Sequence, residues 1–224
     1  MLDFVVHQWD FFELKSSTEK VIVPSDIPKN IQRRLTSLAK CVFNVAVNLV
    51  ENNQSVPIVF STSHGESNKS LEMLKELANN GEISPTTFSL SVHNAISGLF
   101  SMAYANNGEM TVIAPAEDGI VPAFIEALGL LHEKNNEVLL VFYDEPLPDF
   151  YLSSIDNSNL GAVALALKVT LTGEGLSLRL DKKSAVKNTG DHAFQIRTFR
   201  NFMRGDENSL ILGNHRQSWE WRKI

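Results

Sequence analysis

Cysteine is almost absent from this 224-residue sequence: Cys41 stands alone, so no intrachain disulfide can form, and no Cys/His cluster has the spacing of a zinc site. A reducing cytoplasm is the expected compartment, and neither a metal nor a cofactor is expected. Basic residues are also scarce, with 20 Lys and Arg against 26 Asp and Glu, a formal net charge of −6. That balance argues against a nucleic-acid or anionic-membrane surface, which needs clustered cations to neutralise phosphates. No window reaches ~18 uninterrupted apolar residues, and the N-terminus lacks the basic, apolar and small-residue succession of a secretory signal. Neither a membrane span nor export is therefore expected.

What is present is a 43% hydrophobic content, ample for a buried core. Phe4, Val5 and Val6 open a short strand, and the polar, proline-punctuated stretch from Lys15 to Asp26 reads as a loop. Ile31, Leu35, Leu38, Val42, Val45 and Leu49 recur in steps of three and four and predict one helix. Val56 to Thr62 reads as a buried strand and Ser67 to Asn79 as a helix, while a second helix is expected to start near Ser91 and run to Asn106. Glu109 to Ala114 reads as a strand, Asp118 to His132 as a helix covered on most sides, and Val138 to Tyr143 as a third apolar strand.

Asp144 to Asn159, rich in Pro, Ser, Asn and Asp, reads as a long loop, and Ala162 to Val169 with Leu176 to Leu180 as a hairpin around Thr170-Leu-Thr-Gly-Glu-Gly. Phe194, Ile196, Phe199 and Phe202 mark a last amphipathic helix between His192 and Met203. Ser209 to Arg222 supplies short extended pieces, with Trp219 and Trp221 on one face of an edge strand, closing the core or anchoring an interface. Strands alternating with helices indicate an α/β domain with a mixed sheet and flanking helices. The expected organisation is a single domain over residues 1–224 with a C-terminal extension from about residue 181.

The segment Ser84-Pro-Thr-Thr-Phe-Ser-Leu-Ser-Val-His-Asn-Ala-Ile-Ser-Gly-Leu, with its Ser91-Val-His93-Asn94-Ala core, resembles the short β-ketoacyl synthase-like N-terminal domains that bacteria encode in aryl polyene gene clusters. Three other pieces agree in order: Gln32-Arg-Arg-Leu-Thr-Ser-Leu-Ala-Lys, Phe60-Ser-Thr-Ser-His-Gly-Glu and Val141-Phe-Tyr-Asp-Glu-Pro. The resemblance implies half of a thiolase-like fold. It also implies a location for the nucleophile, because in such synthases a strand leads into a turn whose cysteine opens a buried helix. Here the matching stretch is Val112-Ile-Ala-Pro-Ala-Glu-Asp-Gly-Ile-Val-Pro-Ala-Phe-Ile-Glu-Ala, and setting the helical alanines on Ala123 and Ala127 places Glu117 at the nucleophile position. A carboxylate cannot hold the acyl thioester that a thiolate accepts. The family's assisting histidines lie in the second half of the fold, which this sequence is not long enough to contain.

Those departures resemble chain length factors, the inactive ketosynthase-like subunits that pair with active ketosynthases. Such proteins usually retain both halves, so shaping of the partner's tunnel and simple stabilisation of the partner both remain open. The resemblance implies no catalytic residue, a heterodimer with a full-length β-ketoacyl synthase, and an interface through Met110, Val112 and Ala114 on the strand that crosses the family's two-fold axis. Arg33 and Arg34 are either solvated charges or contacts for an acyl carrier protein. The competing reading is a stand-alone acyl or malonyl thioester hydrolase or decarboxylase using Glu117.

Other residues invite chemical readings. Glu117 and Asp118 suit either an acid/base pair or the first turn of a helix, where carboxylates favour the dipole. Ser91 and His93 are two residues apart and do not share a face, and no Gly-x-Ser-x-Gly elbow is present, so they are not a hydrolase pair. His93 and Asn94 are expected to hydrogen-bond a helix start or a neighbouring loop, and His64-Gly65-Glu66 to form a strand-ending turn rather than a phosphate site.

Overall fold

The computed structural model describes residues 1–16, 19–50, 55–132, 135–151, 161–185 and 189–224. In chain order the elements are β1 (Leu2–Glu13), α1 (Lys29–Gln32), α2 (Ser37–Val47), β2 (Ile58–Ser61), α3 (Ser67–Ala78), α4 (Pro85–Ser89), α5 (Ala95–Tyr104) and β3 (Met110–Ile113). There follow α6 (Val121–Leu130), β4 (Val138–Asp144), β5 (Val163–Thr170), β6 (Leu176–Lys183), α7 (His192–Arg204), β7 (Ser209–Gly213) and β8 (Ser218–Lys223). The strands form one sheet in the order β3-β2-β4-β5-β1-β6-β8-β7. Strands β3, β2 and β4 run parallel, and the remaining pairs are antiparallel. The expected α/β class, a mixed sheet with flanking helices, is what the chain adopts.

Alternation along the central strands builds two cores. On β4 and β5, Leu140, Phe142, Leu165 and Leu167 face one cluster with Phe124 of α6 and Phe199 of α7. Leu139, Val141, Ala164 and Ala166 face the other, with Cys41, Val42 and Val45 of α2 and Phe100 of α5. A sheet covered on both sides needs apolar residues at successive positions, which is why β4 is buried throughout. The alanines on β5 let α2 approach the sheet closely.

Several boundaries depart from the periodicity. The helix expected across Ile31 to Leu49 is two helices, because Thr36 adopts an extended conformation and caps α2 through its hydroxyl on the Ala39 amide. The helix expected from Ser91 starts later, at Ala95, and a separate short helix precedes it. Ser84 caps α4 with Pro85 in its first turn, residues 91–94 form a turn, and α5 begins at Ala95. Most of the loop expected from Asp144 to Asn159 lies outside the described residues.

The hairpin expected between Ala162 and Leu180 is absent: β5 and β6 are both present but flank β1 on opposite sides. Strand β5 ends with Thr170 opposite Val5, and β6 begins with Leu176 opposite Val6, so residues 171–175 carry the chain across β1. This short crossing needs Gly175 at φ +144°, where a Cβ would lie 2.5 Å from the Val6 carbonyl oxygen. The register of β1 shifts between Val6 and Gln8, and the intervening His7 hydrogen-bonds through Nδ1 to the Glu174 carbonyl at 2.7 Å. Local turn signals cannot reveal that a third strand occupies the gap.

Strand β8 is interior to the sheet, between β6 and β7, which corrects the edge-strand placement of Trp219 and Trp221. Trp221 is fully buried, with ring centroids 5.5 Å from Phe199 and 5.8 Å from Phe124, and Trp219 packs at the edge of the same core. Both rings close the core. Residue 181 lies inside β6, and α7, β7 and β8 share the sheet and core of the preceding elements.

Candidate functional site

Strand β3 ends at Ile113, and the chain reverses through Ala114, Pro115 and a 3-10 turn over Ala116–Asp118 before α6 begins at Val121. Proline cannot continue the ladder, so Pro115 stops the strand. Ala116 then takes a left-handed conformation, φ +50°, which costs a side chain with a Cβ roughly 1 kcal/mol. Gly119, at φ +63° and ψ −137°, completes the turn, and a Cβ there would lie 1.9 Å from Gln195 Oε1. Glu117 and Asp118 therefore precede α6 instead of occupying its first turn, which corrects the helix start expected at Asp118 and the dipole role that went with it.

The Glu117 side chain is 62% exposed and reaches Arg216 only at 3.7 Å, whereas Arg216 lies 3.2 Å from Asp118. Behind the turn, Asn214 is buried and donates from Nδ2 to the Glu117 carbonyl at 2.8 Å and to Asp118 Oδ1 at 3.0 Å. Gln195 of α7, also buried, accepts from the Ile120 amide at 3.2 Å. Asn214 and Gln195 were not singled out from sequence. The polar run Asn214-His-Arg-Gln signals a turn, but nothing local says that this turn meets residues about a hundred positions earlier.

Met110 and Val112 lie on β3, which is hydrogen-bonded on one side only among the described strands. Glu109 and Ile113 accept from Ile58 and Thr62 of the β2 side, and parallel pairing alternates along the strand. The backbone groups of Met110 and Val112 consequently point away from β2, along the open edge. Ala114 follows, exposed, at the start of the turn.

Ser91, His93 and Asn94 occupy the turn between α4 and α5. The His93 Nε2 lies 3.0 Å from the Thr62 carbonyl at the end of β2, and its ring fills the space beside Gly65. Ser91 donates to the Phe88 carbonyl at 2.8 Å, and the Asn94 carbonyl accepts from Ser97 Oγ and the Gly98 amide. These contacts join the 91–94 turn to the 62–65 turn and to α5. None of the three residues lines the cleft between the starts of α2 and α3.

A second cluster was not anticipated. Asp144, at the end of β4, has its carboxylate 2.5 Å from His192 Nδ1 and accepts from Thr62 Oγ1 at 2.7 Å and from the amides of Ser63 and His64 at 3.1 and 3.2 Å. His192 Nε2 lies 3.1 Å from Ser61 Oγ. Burial works to raise the Asp144 carboxyl, but the His192 ring and the hydrogen bonds from Thr62 and Ser63 outweigh it and hold the group below its ordinary value. Ser61, His192 and Asp144 have the order of a hydrolase triad. All three are at most 2% exposed, so no substrate reaches the hydroxyl.

A cleft of about 890 Å³ opens beside this cluster, between the starts of α2 and α3 and residues 145–150. Glu66 at its floor is 4% exposed and accepts from Thr36 Oγ1 at 2.7 Å; burial pushes its carboxyl up to about 7. Burial also raises Glu145, which accepts from Asn68 at 2.7 Å. Cys41 is fully buried in α2 and does not line this cleft, and burial pushes its thiol up to about 12. Among the described residues no group of three or more His, Cys, Asp and Glu side chains is placed to hold a metal ion, and no helix is long and apolar enough to cross a membrane.

A family model described as the β-ketoacyl synthase N-terminal domain matches residues 7–222, nearly the whole chain. The chain belongs to the β-ketoacyl synthase N-terminal domain family. None of the curated proteins searched matches it. Among solved structures it is similar to a chain of the complex of ketosynthase ApeO with its chain length factor ApeC from Xenorhabdus doucetiae, with TM-score 0.82, 23% identity and 100% of each chain covered. The ishigamide ketosynthase/chain length factor matches at TM-score 0.56 and 10% identity, over 83% of this chain and 68% of that one. A β-ketoacyl synthase from Burkholderia phymatum STM815 matches at TM-score 0.54 and 10% identity, over 75% and 52%. These likenesses establish the thiolase-like ketosynthase fold for this family member.

Proposed function

We infer that this protein is a non-catalytic, chain length factor-like partner of a full-length β-ketoacyl synthase, supporting acyl chain elongation in aryl polyene or related polyketide biosynthesis in the cytoplasm. The observation that carries the reading is the 116–119 turn, which the sequence resemblance aligns with the turn that bears the nucleophile in ketosynthases: it presents an exposed Glu117 and no cysteine. Its one thiol, Cys41, is sealed in α2 and strongly biased to the neutral form. The likeness to two structures of a ketosynthase together with a chain length factor supports the same reading. The open edge of β3 fits a paired subunit, because Met110 and Val112 direct unpaired backbone donors and acceptors outward.

The test is co-expression with each full-length β-ketoacyl synthase of the source organism, followed by size-exclusion chromatography. A one-to-one complex is expected, with no turnover of acyl or malonyl carrier-protein thioesters by this chain alone. Turnover by the isolated chain that disappears in Glu117→Ala would replace this reading with a hydrolase or decarboxylase.

A further inference from the structure

An exposed surface turn needs no fixed shape, yet the 116–119 turn is specified from behind by two buried amide side chains of distant segments. Asn214 holds the Glu117 carbonyl and the Asp118 carboxylate, and its own Oδ1 accepts from the amides of Arg216 and Gln217 at 2.8 and 3.2 Å. Gln195 accepts from the Ile120 amide and donates to the Gly190 carbonyl at 3.2 Å. Between these supports Ala116 is kept in the left-handed region, a strain that persists only where the surroundings over-determine the backbone. Arg216 is drawn towards Asp118, leaving the Glu117 carboxylate with one long ion pair and no hydrogen bond among the described residues. The turn also continues directly from the open edge of β3, so a strand paired there brings its own chain past Glu117.

We propose that Glu117 is a preset anionic contact for a Lys or Arg side chain of the paired β-ketoacyl synthase, and that Asn214 and Gln195 are positioning residues that hold it at the end of the β3 edge. This rests on the reading of the chain as a ketosynthase partner and adds the chemistry of one contact. A turn whose backbone is already held presents its carboxylate without losing the freedom that a mobile loop would lose on binding. Association is then strengthened by the charge and weakened by salt. The role also explains the placement of α7 and the β7–β8 turn, which join the C-terminal elements to the turn as well as to the core.

The experiment measures affinity for the co-purifying ketosynthase at two salt concentrations, with circular dichroism on each variant. Glu117→Gln is expected to weaken binding roughly tenfold and to flatten its salt dependence, and Glu117→Lys to weaken it by about a hundredfold or more. Glu207→Lys makes the same charge change in the exposed loop before β7, at the opposite end of the sheet, and is expected to leave affinity unchanged. Asn214→Ala is expected to weaken binding roughly fivefold in the natural chain and less than about twofold in the Glu117→Gln background, a non-additivity that a purely structural residue does not show. A folded Glu117→Lys protein that binds within about twofold of the natural chain overturns the contact, and an equal Asn214→Ala loss in both backgrounds overturns the positioning role. If the natural chain binds no ketosynthase, the proposed function itself fails and takes this contact with it.

Discussion

The turn at residues 62–65 follows β2 and the turn at 114–119 follows β3, so the two leave the same end of the sheet from neighbouring parallel strands. The first closes over Asp144, which receives two backbone amides, a hydroxyl and an imidazole and is withdrawn from solvent. The second has its supports behind it and its carboxylate in front. A buried charge is tolerated only when its hydrogen-bonding capacity is met, so the first turn is occupied with holding the fold together. The exposed turn has a charge to spare for a partner. Catalytic appearance is thus a poor guide here: the triad-like cluster is sealed inside the fold, and the plain glutamate is the one that faces solvent.

The largest effect that sharpens this contrast is expected from Asp144→Ala. It takes the acceptor from His192 Nδ1, the Thr62 hydroxyl and two amides in the interior and should cost about 3–5 kcal/mol, read as a lower urea midpoint. The same truncation at Glu117 should stay within about 0.5 kcal/mol, since an exposed residue outside a buried network contributes little. Equal losses at the two positions would erase the distinction.

The edge strand comes next. Val112→Pro removes an N–H that points away from β2, so the chain should remain folded by circular dichroism while its affinity for a ketosynthase falls at least about a hundredfold. A folded variant that still co-purifies would rule out pairing through β3. Lys183 is the last residue of β6 and pairs with Glu220 at 3.0 Å. Lys183→Ala should nevertheless leave the complex intact, because it lies across the sheet from β3.

Glu66 and Asp144 make opposite contributions to stability as pH changes. Asp144 titrates below its unfolded value, so its contribution is complete above that value and is lost as pH falls. Glu66 is raised from 4.5 to about 7, so the folded state binds the extra proton and stability falls as pH rises between those values. Glu66→Gln should remove that decline and raise stability at pH 8 by about 1–3 kcal/mol, provided the amide keeps the Thr36 hydrogen bond. An unchanged pH profile would show that the cleft solvates Glu66. The smallest expected effect is that of Arg216→Ala, whose exposed pairs with Asp118 and Glu117 should contribute no more than about 1 kcal/mol to stability in a thermal melt.

Periodicity located most elements because each helix and strand buries one local face, and the stripe from Leu38 through Val42 and Val45 to Leu49 is legible without knowing what covers it. The family was legible in short motifs, and with it the absence of a cysteine at the turn before α6. The helix break at Thr36 and the short helix capped by Ser84 depended on hydroxyl caps, a local signal that apolar spacing conceals. The passage of β1 between β5 and β6, the Asp144–His192 pair 48 residues apart and the grip of Asn214 on a turn 97 residues earlier had no local signature at all. Sequence patterns record which face of an element avoids water. Which distant polar groups meet is decided when the sheet assembles, because burial then forces each donor and acceptor to find a partner in three dimensions.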